Sequence, residues 1–452
     1  MPRSVVLYVL SALSVALALA GAQAAEEETP APAEVSLTLE EALAIARMQN
    51  LTILAAHEDV KRTRGILREG YASAYPELIL SGNYTRTDES SIQSFDSPEG
   101  GTLSLGTDET YSYNVGIEQR LYAGGLVFGG IRAARNNKAR VLEVVAATVQ
   151  DVELQVRRDF FELLLAQELV AVREEAVALF EENLKNVQAK LDAGEVAKFE
   201  VTRARVALAN LQPPLIAATN RVRLAKEGLK KTLNLPFATE LTIEGALDYV
   251  PEKFDLDELV ETALMFRHEI KASELETTLL KINITVEASN GRPDLRFFAN
   301  YEGRTNTFGD DATDLIEGWN AGVRVSVPLF KGWGVAGRVD QARADHAKSL
   351  IALEDQRKSV ELEVRRGWFN LEEAEQAVLS QEENVGQAEQ AVREAAERQQ
   401  AGEITQFEVR DTQLSLTEAR TNLKQAQHDY NVALFTLERA VAVPLTPLSQ
   451  PE

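Results

Sequence analysis

The sequence predicts a mainly α-helical chain that also carries two pairs of membrane-barrel strands and is built as two copies of one unit. Three observations predict it. Residue patterns recur at a fixed separation, a stretch of more than sixty residues runs without glycine or proline, and between helices the apolar period drops to two.

The repeat comes first because it organises the rest. Leu121-Tyr122-Ala123-Gly124 matches Leu329-Phe330-Lys331-Gly332, 208 positions later. The same separation pairs Arg157-Arg158-Asp159-Phe160-Phe161 with Arg365-Arg366-Gly367-Trp368-Phe369. It also pairs Ala193-Gly194-Glu195-Val196 with Ala401-Gly402-Glu403-Ile404, Phe199-Glu200-Val201 with Phe407-Glu408-Val409, and Pro236 with Pro444. Upstream the separation is 217, which pairs Leu39 with Leu256, Pro76 with Pro293, and Asn83-Tyr84 with Asn300-Tyr301. The nine additional residues of the first copy fall in a Ser/Asp/Gly-rich stretch, Asp88 to Asp108, read as an exposed loop. The units are residues 36–250 and 251–446.

Each copy opens with a capping signal, Thr38-x-x-Glu41 or Asp255-x-x-Glu258. The helix that follows is expected to run to Pro76 or Pro293, where the chain must leave helical geometry. Strands are expected near residues 76–86, 110–122, 293–304 and 317–330. In the second, Tyr111, Tyr113, Val115, Ile117 and Leu121 alternate with Ser112, Asn114, Glu118 and Arg120. In the fourth, Trp319, Ala321, Val323, Val325, Val327 and Leu329 alternate with Asn320, Arg324 and Ser326. One greasy and one wet face suit a membrane barrel. Four strands cannot close one, since the smallest barrels have about eight, so several chains must contribute.

A glycine-rich exit follows each hairpin, Gly124-Gly125 or Gly332 with Gly334, where strand must turn into helix. Ile131 to Ala193 then forms a rod of roughly 95 Å at helical rise. Each rod ends at Ala-Gly-Glu and reverses. Pro213-Pro214 in the first return helix should bend or interrupt it; the second copy has Thr421-Asn422 there.

Arg3, the apolar run Val5 to Leu19 and Ala22-Gln23-Ala24 read as a signal peptide over residues 1–24. The run is too short to span as a helix, and no later segment has eighteen consecutive apolar residues. With no cysteine, disulfides, thiolate metal sites and cysteine nucleophiles are excluded. A formal charge of −23 argues against nucleic acid. His57, His268, His346 and His428 are scattered and read as surface residues. No catalytic arrangement, metal site or phosphate loop is evident, and no cofactor is expected.

Signal peptide, duplication, and a strand hairpin with a long helix pair in each half together resemble the TolC-type outer-membrane efflux protein family, over about residues 36–446. The resemblance implies a homotrimer whose twelve strands form a barrel in outer-membrane lipid, continued by a periplasmic tunnel of helices. Residues 237–250 would lie in an equatorial belt. It implies passive conduction for an efflux or type I secretion system, with a periplasmic adaptor and an inner-membrane transporter as partners. The tips Gly194, Glu195, Val196, Gly402, Glu403 and Ile404 would meet the adaptor. Glu408 and Asp411 match carboxylates that narrow the tunnel in the family, and Glu200, the repeat partner of Glu408, would join the closing network. The family's lock has an aromatic and a basic residue flanking the second glycine, where this chain has Gln399 and Ile404. The rivals are a periplasmic adaptor, which usually has one helical hairpin, and a structural coiled coil, which would not need the strands.

Overall fold

The computed structural model of the chain describes residues 34–97, 101–104, 106–306 and 315–445; the signal peptide expected at residues 1–24 lies outside them. In chain order the helices are α1 (Leu39–Gln49), α2 (Leu51–Ala72), α3 (Leu126–Asp192), α4 (Lys198–Leu233), α5 (Leu256–Phe266), α6 (His268–Ser289), α7 (Gly334–Gln400) and α8 (Gln406–Val441). The strands are β1 (Glu34–Leu37), β2 (Glu77–Arg86), β3 (Ser94–Ser97), β4 (Gly101–Ser104), β5 (Glu109–Ala123), β6 (Glu240–Ile243), β7 (Asp294–Thr305) and β8 (Ile316–Ser326).

The helix expected to run to Pro76 is two helices. Asn50 adopts extended geometry and its side chain accepts from Thr52 N (2.8 Å) and Ile53 N (3.3 Å), starting α2. Local capping by asparagine competes with helix continuation, which periodicity cannot register. Arg267 makes the same break between α5 and α6.

Strands β2, β5, β7 and β8 form one antiparallel sheet in that order. Its register puts Leu78, Ile117, Ala299 and Ala321 in one row and Leu80, Val115, Tyr301 and Trp319 in the next. Directly opposed residues share a face, so these rows make one apolar surface. Ser81, Asn114, Glu302 and Gly318 occupy the other, as do Arg120, Arg296 and Arg324. On that polar face Arg296 pairs with Glu118 at 2.8 Å. The apolar face is bare: Leu78, Leu80, Val323, Val325 and Trp319 are all exposed.

The simple alternation fails at one point. The register shifts between Arg120 and Tyr122, so Tyr122, not Leu121, lies opposite Leu295. A bulge inserts one residue and flips the faces beyond it, so the greasy row continues through Tyr122. β8 stops at Ser326, two residues before Pro328, whose ring has no N–H to give a ladder. The stretch expected as a loop carries the short hairpin β3–β4.

The two rods, α3 and α7, each have 67 residues, and the return helices α4 and α8 each have 36. A helix of 67 residues spans about 100 Å. The largest buried cluster forms where α3 meets α1, α4 and the parallel pair β1–β6, around Val156, Phe160, Leu163, Leu164, Leu229 and Leu241. Gly245 packs closely on this cluster: a Cβ there would touch Phe160 and Leu164 at 3.4 Å. A second cluster gathers Val360, Val364, Leu371, Tyr430 and Leu437 of α7 and α8 with Leu259 and Ala263 of α5.

Pro213-Pro214 does not interrupt α4, which is continuous through both. The carbonyls that lose their donors belong to Ala209 and Asn210, which are exposed and open to water. Beside them Leu211 is buried against Val177 and Phe180, holding the helix in place.

Candidate functional site

Both rods reverse in the same way. Gly194 and Gly402 have φ of 78° and 75°, the left-handed region that favours glycine. At the first tip Gly194 N donates to Leu191 O (2.9 Å) and Glu195 N to Lys190 O (2.9 Å). At the second, Gly402 N donates to Gln399 O (3.0 Å) and Glu403 N to Arg398 O (2.9 Å). These bonds satisfy carbonyls that a helix end leaves open. Glu195 and Glu403 stand exposed at the extremities, with Val196 and Ile404 half-buried beneath them.

The carboxylates after the turns differ between the copies. Thr405 caps α8, and Glu408 reaches back to accept from Thr405 N (2.7 Å) and Thr405 Oγ1 (3.0 Å). That backbone N–H, helped by the hydroxyl, holds the Glu408 carboxyl below its ordinary pKa. The equivalent cap of α4 is Ala197, which offers no side chain. Glu200 pairs instead with Arg203 at 3.7 Å. Asp411 is exposed one turn beyond Glu408.

One contact near the tips was not anticipated. Phe407 lies between two guanidinium groups, Arg203 of α4 (5.1 Å from the ring centre) and Arg410 of α8 (4.9 Å). Gln406 also donates to Asn183 of α3. These contacts tie the two reversals together within one chain. The repeated Phe-Glu-Val motif carried the signal, since Arg203 and Arg410 stand four and three residues after its two phenylalanines.

Above the tips α3 and α8 run side by side along a ladder of charge pairs. Arg420 meets Glu175 (2.7 Å), Lys424 meets Glu168 (2.9 Å), and Arg439 meets Asp151 (2.6 Å). His428 belongs to it, with Nδ1 2.9 Å from Asp429 and Nε2 3.7 Å from Glu162. His268 likewise contacts Glu143 at 2.7 Å. Neither stands alone at the surface, because Glu143 and Glu162 reach them from α3, far away in sequence.

The ladder ends in a buried knot. Arg267, 3% exposed, donates to Arg439 O and Ala440 O (both 3.0 Å) and pairs with Glu269 and Glu363. Burial pushes the Glu269 carboxyl up, but Arg267 and Arg439 outweigh it and hold it below its ordinary value. In the first copy Asn50 occupies the matching place, and its Nδ2 donates to Thr232 O at 2.7 Å. Thr232 and Ala440 are themselves repeat partners, 208 apart. Each half therefore pins the end of its return helix to the break between its opening helices.

Among the described residues no group of three His, Cys, Asp or Glu could hold a metal, and no helix is long and apolar enough to cross a membrane. The sheet is the part suited to lipid.

Comparison with known proteins gives consistent results. A family model for outer membrane efflux proteins matches residues 42–235 and 259–443. The cobalt-zinc-cadmium resistance protein CzcC of Cupriavidus metallidurans is 25% identical over 394 residues, 85% of each chain. The outer membrane efflux protein BepC of Brucella suis is 22% identical over 350 residues, 77% of this chain and 75% of that one. Among solved structures, the Campylobacter jejuni CmeC outer membrane channel superposes with a TM-score of 0.76 at 15% identity, covering 89% of this chain and 85% of that one. This last likeness is one of fold.

Proposed function

The chain belongs to the outer membrane efflux protein family, and from that premise we propose that it is the channel subunit of an export duct. Three copies contribute four strands each to a twelve-stranded barrel in the outer membrane, and their rods continue it as a periplasmic tunnel. The two halves descend from one duplicated unit, residues 36–250 and 251–446, and residues 237–250 lie in the belt around the tunnel. Substrate arrives from an inner-membrane transporter through a periplasmic adaptor. The chain itself supplies a passage and no chemistry.

The observation that carries this reading is the sheet. Among the described residues its two edges, β2 and β8, are unpaired, and one face is apolar and largely exposed. Open edges and a greasy face are both unstable in water. Closure with further copies removes the edges, and lipid covers the face. The polar face then lines the lumen.

At the far end, Glu408, Asp411 and Glu200 form an acidic constriction. Threefold repetition would place them in rings that favour cations, narrow the passage and raise the cost of opening it. Glu408 is partly engaged by Thr405, which leaves Asp411 the more available carboxylate. The adaptor docks on Gly194, Glu195, Val196, Gly402, Glu403 and Ile404.

Purified protein in planar bilayers tests both parts. The duct predicts trimers resistant to SDS and cation-preferring conductance, which rises, with lower cation preference, when Glu408 and Asp411 are both changed to Ala. A soluble monomer would remove the duct, and unchanged conductance and selectivity would remove the gate. Reversing Glu195 and Glu403 to Lys should impair export in cells while leaving trimers intact. Normal export would put docking elsewhere.

A further inference from the structure

The two strand-to-helix turns have the same backbone and opposite surroundings. At the first, Gly124 and Gly125 have φ of 61° and 103°; at the second, Gly332 and Trp333 have φ of 56° and 63°. The second glycine of the pair has become tryptophan. A bulky residue in the left-handed region is strained; Phe330 meets the indole edge-on at 6.2 Å, yet Trp333 is still 79% exposed, so most of its surface is uncovered.

The first turn is covered. A Cβ on Gly124 would lie 2.6 Å from Arg292 Cβ and 2.9 Å from Ser289 O, and Arg292 Nη1 donates to Gly124 O at 2.8 Å. A Cβ on Gly125 would meet Arg292 Nη1 at 3.5 Å and Thr285 Cγ2 at 3.6 Å. This cover comes from the end of α6, which leads into β7, the strand paired with β5. At the second turn a Cβ on Gly332 would meet nothing within 4 Å. β8 is an edge, and among the described residues no strand pairs with its free side.

We infer that the exit turn of β8 docks on the α2–β2 junction of the next copy, with Trp333 seated against that copy's Arg68 and Tyr75. This rests on the oligomeric barrel proposed above and adds its contact and register. The repeat maps each side of the covered turn onto an open one. Arg292 corresponds to Tyr75 and Thr285 to Arg68, each 217 positions earlier, and both are exposed. Where the first turn meets a guanidinium and a methyl group, the second would meet a phenol ring and a guanidinium. Indole stacks well on both, which explains tryptophan where the first copy keeps glycine.

The same mapping sets the register. Val115 lies opposite Tyr301 and Ile117 opposite Ala299 across β5–β7. Their counterparts place Val323 opposite Tyr84 and Val325 opposite Gly82 of the next copy. All four belong to the apolar face, so that face passes unbroken from copy to copy. A slip of one residue would turn it into the lumen.

The chain has no cysteine, so introduced pairs report cleanly. Mild oxidation should link Val323→Cys with Tyr84→Cys into covalent oligomers. Val323→Cys with Leu80→Cys, about 13 Å out of register, should not link. Preferential linkage of the second pair would overturn the register while leaving the channel reading intact. Trp333→Gly recreates the first turn and relieves its strain, yet should lower the temperature at which the oligomer dissociates. Arg68→Ala should do the same, and the double variant should be no worse than the poorer single one. A higher dissociation temperature for Trp333→Gly, or additive losses, would overturn the seat. With Trp319→Phe and Trp368→Phe, Trp333 should resist quenching by brominated phospholipid; strong quenching would place it in lipid and overturn the proposal. A chain that never oligomerises would instead overturn the duct.

Discussion

Rods α3 and α7 have the same length and matched ends, but they live in different surroundings. α3 packs against α1, α2, α4, α6 and α8, whereas the substantial neighbours of α7 are α5, α6 and α8. The repeated Phe-Phe and Trp-Phe pairs show the result: Phe161 is 8% exposed and Phe369 is 56% exposed. Phe161 stacks edge-on against Phe435 at 5.0 Å. The difference teaches that burial here follows the neighbours each rod has within the chain more than local sequence. The first rod is flanked on both sides by its own chain, and the second has one flank waiting.

The largest effect should come from that pair. Phe161→Ala should cost about 3–5 kcal/mol of stability whatever the protein concentration. The loss from Phe369→Ala should grow as the protein is diluted if, as in the proposed oligomer, another copy covers it. Urea unfolding at several concentrations checks this. Two concentration-independent losses would mean that α7 is complete within the chain.

The pins of the return helices sharpen the comparison at a second level. Arg267→Ala strips a buried donor from two carbonyls and two carboxylates and should cost about 3 kcal/mol or more. Asn50→Ala breaks a neutral pin and should cost about 1–2 kcal/mol. Thermal unfolding of the two variants measures the gap.

The smallest effect is a response to acid. The Glu269 carboxyl is held below its ordinary value, so the unfolded chain binds its proton more readily. Its contribution is present above the ordinary carboxylate range and is lost as pH falls through the depressed folded value. Asn50 does not titrate, so acid should loosen the second half before the first. Hydrogen exchange along α1–α2 and α5–α6, compared between neutral pH and a pH below the ordinary carboxylate range, would show it. Equal loosening would break the contrast.

Much of the architecture was legible because matching residues recur at fixed separations along the sequence. The reversals at Gly194 and Gly402, the rods and the greasy strands all follow from repeated residues and period. What stayed hidden depended on distant partners. Asn50 looks like an ordinary helix residue until Thr232 O is brought beside it. The four-residue strands β1 and β6 are too short for a period to show, and they exist by pairing with each other. At the tips the sequence singled out Glu408 but not its bond to Thr405, although Thr405-x-x-Glu408 has the same capping spacing as Thr38-x-x-Glu41.

The bare sheet also bears on the chain's history before assembly. Helical contacts are local and form early, whereas strand pairing between separate chains must wait for encounter. For that interval each chain carries two sticky edges and a face made for lipid. For the proposed channel, an escorted transit, with closure of the ring coupled to entry into the bilayer, is the order of events that would keep such a surface out of water. Slow ring closure would then limit how fast the cell can raise its number of working ducts.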